Sequence, residues 1–390
     1  MTTISTALPY IRDRFTWLGY FMLAYYAYMQ ATLGPLMPFL RAELSLSYFM
    51  SGLHLSAFAA GMIIAGLTGD YAAARFGRRR VFWGGGAGMA LGGILLIVGQ
   101  HPAVTIGASL MMGVIGSYTL VMVQSTLSDH HGERRAIALT ESNVWASISA
   151  TLAPALISLG EQASIGWRIA PLAGAVLWFV LRLTYGREPM PKPIADDPGA
   201  ATSGRRAPLP RVFWIFWLMI VLGVSVEWCM IFWGADFLET SVGLPRITAT
   251  GSMTYFFAAT VIGRIAGSRL TRITTPINLL VLAVLLVIIG FPIFWLGQTA
   301  AVNIIGLVAV GLGVSNLFPM TLSAVTSIAP HHSDRVSARA ALGAGTAILI
   351  SPQILATAAD DIGIFNAYGI AGLLCVAMLI LTVSAWYVTR

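Results

Sequence analysis

An acidic residue lies in the middle of one of the most apolar stretches of the chain. Glu227 follows Arg211 by sixteen residues, and no other charged residue lies between them. An ionised side chain inside a membrane-spanning helix costs roughly 2.5–3.5 kcal/mol, so such residues usually mark a functional pathway. A carboxyl group in a cavity of low dielectric can exchange a proton near neutral pH. We therefore predict that Glu227 couples proton movement or contacts a substrate; the alternative is a buried ion pair or hydrogen bond between two helices.

Other polar side chains within apolar segments are candidates for the same cavity. Unpaired amides and phenols are costly in lipid, so each must face water or hydrogen-bond a neighbouring helix. We expect them to line a wet cavity, where tryptophans can stack on a sugar or organic ring; hydrogen bonding between helices is the alternative. The candidates are Tyr25, Tyr28, Gln30, Tyr118, Asn143, Trp228, Trp233, Asn316 and Gln353.

The residue patterns typical of metal sites, disulfide frameworks, nucleotide-driven pumps and ion channels are not found in the sequence. The His-His pairs at 130–131 and 331–332 lack metal-site spacing, and Cys229 and Cys375 form no disulfide framework. No lysine-containing phosphate loop points to a nucleotide-driven pump, and no ring of filter residues points to a channel. We expect no metal, no cofactor and no enzymatic activity.

The elements that position these residues follow from composition. Only 10% of the residues are charged, 57% are hydrophobic, and the mean hydropathy is +0.79, whereas soluble domains carry about 25% charged residues. A membrane-spanning helix needs about 20 mostly apolar residues, and strands of a β-barrel would alternate over about ten. The chain divides into twelve long apolar segments, which predicts an all-α membrane protein. The predicted spans are 16–41, 46–74, 78–99, 102–128, 134–159, 165–187, 211–240, 245–271, 275–297, 301–328, 334–360 and 363–389.

The basic residues indicate how the chain is oriented. With both termini in the cytoplasm, 20 of the 23 Lys and Arg residues fall on the cytoplasmic side, and only Arg41, Arg168 and Arg246 fall outside. The positive charge therefore needs no nucleic-acid partner. The first apolar run is long enough to span, so we expect no cleaved signal peptide and a multi-pass protein of the cytoplasmic (inner) membrane.

The chain is predicted to consist of two similar halves. Residues 188–210 form a polar, Pro-, Gly- and Ala-rich linker between residues 1–187 and 211–390, each with six helices. His130-His131-Gly132-Glu133-Arg134 recurs as His331-His332-Ser333-Asp334-Arg335, and Ala153-Pro154 matches Ser351-Pro352. Parallel six-helix repeats are typical of carriers whose central site alternates between the membrane faces.

The loop between helices two and three carries a family resemblance. Gly66 to Asp70, followed by Arg75-Phe76-Gly77-Arg78-Arg79-Arg80, resembles the signature loop of the major facilitator superfamily, although Ala74 stands at the family's usual Asp position. Glu227-Trp228 and Asn316-Leu317-Phe318-Pro319 are loosely similar to the fucose-permease-like branch. The resemblance implies the major facilitator fold and a secondary transporter.

The resemblance also suggests gating residues. In the family, helices five and eight face each other, so Glu141 and Arg264 are expected to form an inner salt bridge when the cavity opens outward. The alternative is that each pairs within its own half. Asp70 is expected to act as a latch, paired with Arg78–Arg80 or with the N-terminal end of helix eleven.

Taken together, these features predict a proton-coupled carrier that works by alternating access in the lipid bilayer, as a monomer. The substrate is a small organic solute, and sodium could replace the proton. Because no Lys or Arg is expected at the level of Glu227, a neutral sugar or polyol is favoured over an anion. The alternative is a proton-driven efflux antiporter for amphipathic or cationic compounds.

Overall fold

The described part of the chain folds into twelve α-helices and contains no strand. The computed structural model describes residues 10–191, 211–271, 273–328 and 333–389. The helices are α1 Arg14–Leu44, α2 Tyr48–Phe76, α3 Arg78–Val98, α4 Pro102–His131, α5 Arg135–Gln162, α6 Ile169–Tyr185, α7 Arg211–Thr240, α8 Arg246–Leu270, α9 Pro276–Leu296 and α10 Ala300–Ile328, then α11 (333–362) and α12 (364–389).

The predicted all-α membrane fold is confirmed. Within the described residues, nine of these helices are long and apolar enough to cross a membrane, and α6 is a shorter apolar helix of 17 residues. The observed ends lie within a few residues of the predicted spans. We call α1–α6 the N-terminal half and α7–α12 the C-terminal half. The predicted linker residues 192–210 and the second histidine pair, His331 and His332, lie outside the described residues.

Helix ends coincide with residues suited to turns. The side chains of Asp13, Ser47 and Thr275 accept hydrogen bonds from the first turns of α1, α2 and α9, as N-caps do. Gly77 between α2 and α3, and Gly363 between α11 and α12, have φ values of 84° and 77°. Such positive values favour glycine, so these two residues allow sharp turns between neighbouring spans.

Glycine also sets how closely helices pack. A Cβ on Gly113 of α4 would lie 2.2 Å from the carbonyl oxygen of Phe58 on α2. Helix α4 contains a π-helical turn, Met112–Gly116, at this contact. Small residues let membrane helices approach closely, which fixes α2 against α4.

Four helix pairs in the described part of the chain join the two halves. Helix α1 contacts α7 and α8, α2 contacts α11, and α5 contacts α8. These helices surround the centre of the molecule, so polar residues on their facing sides are brought to one place. We call the end that holds Arg14 the inner end and the end that holds Arg41 the outer end, following the predicted orientation.

Candidate functional site

A cavity of about 220 Å³ lies between the two halves. The N-terminal half contributes residues from α1, α2, α4 and α5, and the C-terminal half contributes residues from α7 and α8. The lining consists of Leu23, Tyr26, Ala27, Gln30, Ala31, Met62, Leu120, Asn143, Ala146, Ser147, Ala150, Glu227, Trp228, Ile231, Phe256, Phe257, Thr260 and Arg264.

The cavity holds one carboxylate and one guanidinium. Glu227 is half-buried in the wall that α7 forms, and Arg264 reaches the cavity from α8. Arg264 Nη1 donates a hydrogen bond of 2.5 Å to Ser147 Oγ on α5, in the opposite half. Our expectation of no cation here is therefore wrong, because α8 places Arg264 deep enough to face the same cavity.

Three of the predicted lining residues do line the cavity. Gln30, Asn143 and Trp228 all face it. Gln30 Nε2 contacts the Met62 sulfur at 3.4 Å, and Asn143 Nδ2 donates to the Leu139 carbonyl oxygen at 2.8 Å. The aromatic face of Trp228 and the two amides give the cavity a mixed character, suited to a small polar solute with some apolar surface.

The three predicted tyrosines lie elsewhere. Tyr25 donates to the Gly86 carbonyl oxygen on α3 at 2.9 Å, and Tyr28 donates to the Ala170 carbonyl oxygen on α6 at 2.8 Å. The hydroxyl groups of Tyr118 and Thr68 hydrogen-bond to each other at 2.8 Å. The expectation that these tyrosines line the cavity is wrong; their hydroxyl groups satisfy their hydrogen bonds inside the N-terminal half, which was the alternative.

Three further candidates also bind neighbouring helices instead of the cavity. Trp233 is fully buried and its Nε1 donates to the Pro352 carbonyl oxygen on α11 at 2.9 Å. Asn316 Nδ2 donates to the Gly263 carbonyl oxygen at 2.8 Å. Gln353 Nε2 donates to the Phe49 carbonyl oxygen across the two halves at 3.2 Å. Each amide or indole ties two helices, so the cavity assignment is wrong for all three.

The cavity residues that the prediction missed share a helical pattern. On α1 the lining residues are 23, 26, 27, 30 and 31, and on α5 they are 143, 146, 147 and 150. Residues three and four apart share one face of a helix. Counting back from Gln30 and forward from Asn143 along these faces would have found Tyr26 and Ser147, and would have excluded Tyr25 and Tyr28.

The predicted gate residues have other partners. Glu141 accepts two hydrogen bonds from Arg12, at 2.8 and 2.6 Å, and one from the Tyr20 hydroxyl at 2.8 Å. The expected Glu141–Arg264 salt bridge is thus not formed in this structure, and Glu141 pairs within its own half. Glu141 is held at the inner end of α5, whereas Arg264 lies further toward Ser147.

The predicted latch is also arranged differently. Asp70 is exposed and forms no ion pair with any side chain that the structure describes. Arg78 instead pairs with Asp129 on α4, at 2.5 Å. The expected Asp70–Arg78 contact is therefore wrong, because Asp129 takes up the guanidinium of Arg78.

At the outer end, charged groups join the two halves. Arg41 at the end of α1 forms an ion pair with the fully buried Asp236 of α7. Asp360 of α11 accepts hydrogen bonds from the backbone N–H groups of Tyr48 and Phe49, at 2.7 and 2.8 Å. These N–H groups begin α2, where the helix dipole favours an anion. We call the Arg41–Asp236 pair together with the Asp360 contacts the outer latch.

Backbone packing closes the same end. A Cβ on Gly34 of α1 would lie 2.3 Å from the Ile231 carbonyl oxygen of α7. The inner end differs, because the ion pairs described there, such as Arg12–Glu141, stay within the N-terminal half. The cavity is thus closed toward the outer end, while Asn143 and Arg264, nearer the inner end, are exposed.

Comparison with known proteins places this architecture in a family. The family model of the Major Facilitator Superfamily matches residues 16–352. The chain belongs to the major facilitator superfamily. It is 27% identical over 361 residues to an uncharacterised MFS-type transporter of Yersinia pestis, covering 91% of this chain and 90% of the relative. The protein is therefore a multi-pass membrane transporter of small molecules and not an enzyme.

Solved structures share the fold at low sequence identity. A variant of the nucleoside transporter NupG superposes with a TM-score of 0.76 at 12% identity, over 96% of this chain and 99% of that chain. A D-xylose-proton symporter gives a TM-score of 0.74 at 12% identity, over 94% and 96%. These likenesses support the twelve-helix transporter fold.

Proposed function

We propose that this transporter moves a small hydroxylated solute, of the sugar or polyol type, together with a proton by alternating access. The observation that carries the proposal is that Glu227 lies in a cavity between the halves that is closed at the outer end. Residues 1–187 and 211–390 would rock against each other as a monomer, joined by the linker 188–210. The proposed location is the inner membrane, with both termini in the cytoplasm.

Proton coupling is supported by the position of Glu227. Among the residues that line the cavity, Glu227 is the one carboxylate. A sodium ion needs several oxygen ligands, whereas a single carboxyl group suffices to carry a proton. These features favour a proton over sodium.

Size and chemistry support a small, hydroxylated solute. Pockets for drug-sized ligands measure about 300–1,000 Å³, and this cavity is smaller. The amides of Gln30 and Asn143 can bind hydroxyl groups, and Trp228 can stack on a ring. Arg264 would repel a cation, so the structure supports the efflux of cationic compounds less well. The superposed xylose symporter and nucleoside transporter act on hydroxylated solutes.

Proton uptake by reconstituted protein tests the proposal. Proteoliposomes containing a pH-sensitive dye are given D-xylose, D-glucose, D-glucuronate or glycerol, and solute-dependent acidification of the lumen is followed across an imposed pH step. A proton gradient should drive accumulation by the wild type. The Glu227→Gln variant should still exchange solute across the membrane but should not accumulate it.

Glu161→Gln is the matched control, because Glu161 lies on α5 at the outer end, away from the cavity lining. Its carboxylate accepts a hydrogen bond of 2.6 Å from the Trp167 backbone N–H, and a glutamine oxygen can accept the same bond. Full pH-driven accumulation by Glu227→Gln would show that Glu227 is not the coupling residue. Accumulation driven by a sodium gradient instead of a pH step would refute proton coupling.

A further inference from the structure

Arg264 presents hydrogen-bond donors that the protein does not use. Its described hydrogen bond is the one from Nη1 to the neutral hydroxyl of Ser147. A guanidinium group carries five N–H donors in a planar fork, so most of this fork is available to the cavity. Six other arginines in the described residues each pair with a carboxylate: Arg12, Arg14, Arg41, Arg78, Arg168 and Arg246.

Glu227 is not the carboxylate partner of Arg264, although both side chains line the cavity. No salt bridge joins the two side chains. A cation and a carboxylate therefore line the same small space without contacting each other. Charged side chains inside membrane proteins are costly and are retained where they serve a ligand or a pathway.

We propose that the transported solute carries one carboxylate, which the Arg264 fork binds, while its hydroxyl groups meet Gln30, Asn143 and Glu227. This inference rests on the proposed function and names its substrate class: small hydroxy acids and sugar acids. Arginine binds carboxylates through two parallel hydrogen bonds. A dianion such as a phosphate ester is disfavoured, because the cavity has one guanidinium and Glu227 would repel the second charge.

The arrangement also explains how the proton is coupled. When Glu227 is ionised it repels the carboxylate of the solute and competes for the charge of Arg264. When Glu227 takes up a proton this repulsion disappears, so proton binding tightens solute binding, and solute binding tightens proton binding by the same factor. One carboxylate and one proton then cross together.

Binding to the purified full-length protein tests the inference with matched solutes. D-glucuronate is compared with D-glucose, and D-glycerate with glycerol, using thermal stabilisation and the fluorescence of tryptophan, since Trp228 lines the cavity. The carboxylate member of each pair should bind at least tenfold more tightly to the wild type. Arg264→Gln should abolish this preference for the carboxylate member, while Arg264→Lys should restore part of it.

Arg269→Gln is the control, because Arg269 is exposed on the same helix and does not line the cavity. Equal or tighter binding of the neutral members, stronger binding of inorganic phosphate, or binding of neither member to the folded protein would overturn the inference. If a proton gradient drives D-glucose uptake and Arg264→Gln does not affect it, the carboxylate inference fails while the proposed function stands.

Discussion

Replacing Arg41 by glutamine tests whether the ion pair at the outer end holds the two halves together. Arg41 belongs to α1 and Asp236 to α7, so the pair can exist only while the outer end is closed. Asp236 is fully buried and the Arg41 side chain is 22% exposed. Arg41 also lies 4.3 Å over the ring of Tyr48. Opening toward the outside must separate these groups and hydrate Asp236.

The size of the effect follows from the geometry of the pair. Removing one partner of a fully buried ion pair costs about 3–5 kcal/mol. Here Arg41 Nε and Asp236 Oδ2 are buried without hydrogen-bond partners, so the pair rests on one strong contact, and a charged hydrogen bond contributes about 1.5–3 kcal/mol. We therefore expect Arg41→Gln to destabilise the outer-closed state by about 2–3 kcal/mol. At about 1.4 kcal/mol per factor of ten, the outer-open state gains about 30- to 150-fold in relative population.

Distances between spin labels at the outer end measure this shift. Labels at Ala163, between α5 and α6, and at Ser241, after α7, report the separation of the halves. The native Cys229 and Cys375 are buried and can remain. Arg41→Gln should shift the distance distribution toward longer separations.

The control breaks an ion pair that does not join the halves. Arg168 and Glu43 pair at 2.7 Å at the outer end within the N-terminal half, so Arg168→Gln should leave the distribution unchanged. If Arg41→Gln left the label distances at their wild-type values, or if Arg168→Gln lengthened them equally, the proposed role of the outer latch would be refuted.

Three further predictions use the same protein. Asp360→Asn, which removes the anion at the start of α2, should lengthen the same label distances by a smaller, several-fold population shift, because a charge at a helix terminus contributes about 0.3–1 kcal/mol; no shift would contradict it. Uptake of D-glucuronate with one proton moves no net charge, so an imposed membrane potential should not change its rate, and a clear dependence would contradict the one-to-one coupling. Burial alone would raise the pKa of Asp13, but hydrogen bonds from Thr16 and His130 lower it overall. Its stabilising contribution is therefore present above its ordinary pKa of 3.8 and is lost over the acid range below it. Asp13→Asn should accordingly lose less thermal stability over that range than the wild type, and equal losses would contradict this.

The helices could be predicted from the sequence because the membrane leaves few alternatives. Backbone groups in lipid must be hydrogen-bonded within the segment, so long apolar runs such as 275–297 predict helices almost residue for residue. The last predicted span began at Gly363, and the structure has its turn between the last two helices at this residue. The signature loop near Gly77, together with the twelve spans and the repeated halves, pointed correctly to the superfamily.

The direction in which each side chain points was harder to predict. Successive residues on a helix differ by about 100°, so Tyr25 and Tyr26 point to different places although both are tyrosines in one apolar run. Tyr26 reaches the cavity, whereas Tyr25 hydrogen-bonds to α3. Composition identifies polar residues in a span, but helix rotation decides whether they meet a cavity or a neighbour.

Charge partners were predicted least well, because long side chains can reach several helices. Arg264 was expected to meet Glu141 when the cavity opens outward. In this structure, closed at the outer end, it contacts Ser147, six residues further along α5, or about 9 Å along the helix axis. The N-terminal residue Arg12 occupies Glu141 instead, and nothing in the spacing of the spans indicates where residues before α1 will lie. The expected Glu141–Arg264 gate would require α8 to shift along α5 and Arg12 to release Glu141.

The charges that remain in the cavity give a physical reason for coupled transport. In the proposed cycle the empty cavity holds ionised Glu227 and Arg264, and its net charge is zero. The loaded cavity holds protonated Glu227, Arg264 and the solute carboxylate, and its net charge is again zero. A proton without solute would leave a net positive charge, and solute without a proton would leave a net negative charge. Because an unbalanced charge is costly away from water, only the empty and the fully loaded cavity would reorient readily, so that neither the proton nor the solute would cross alone.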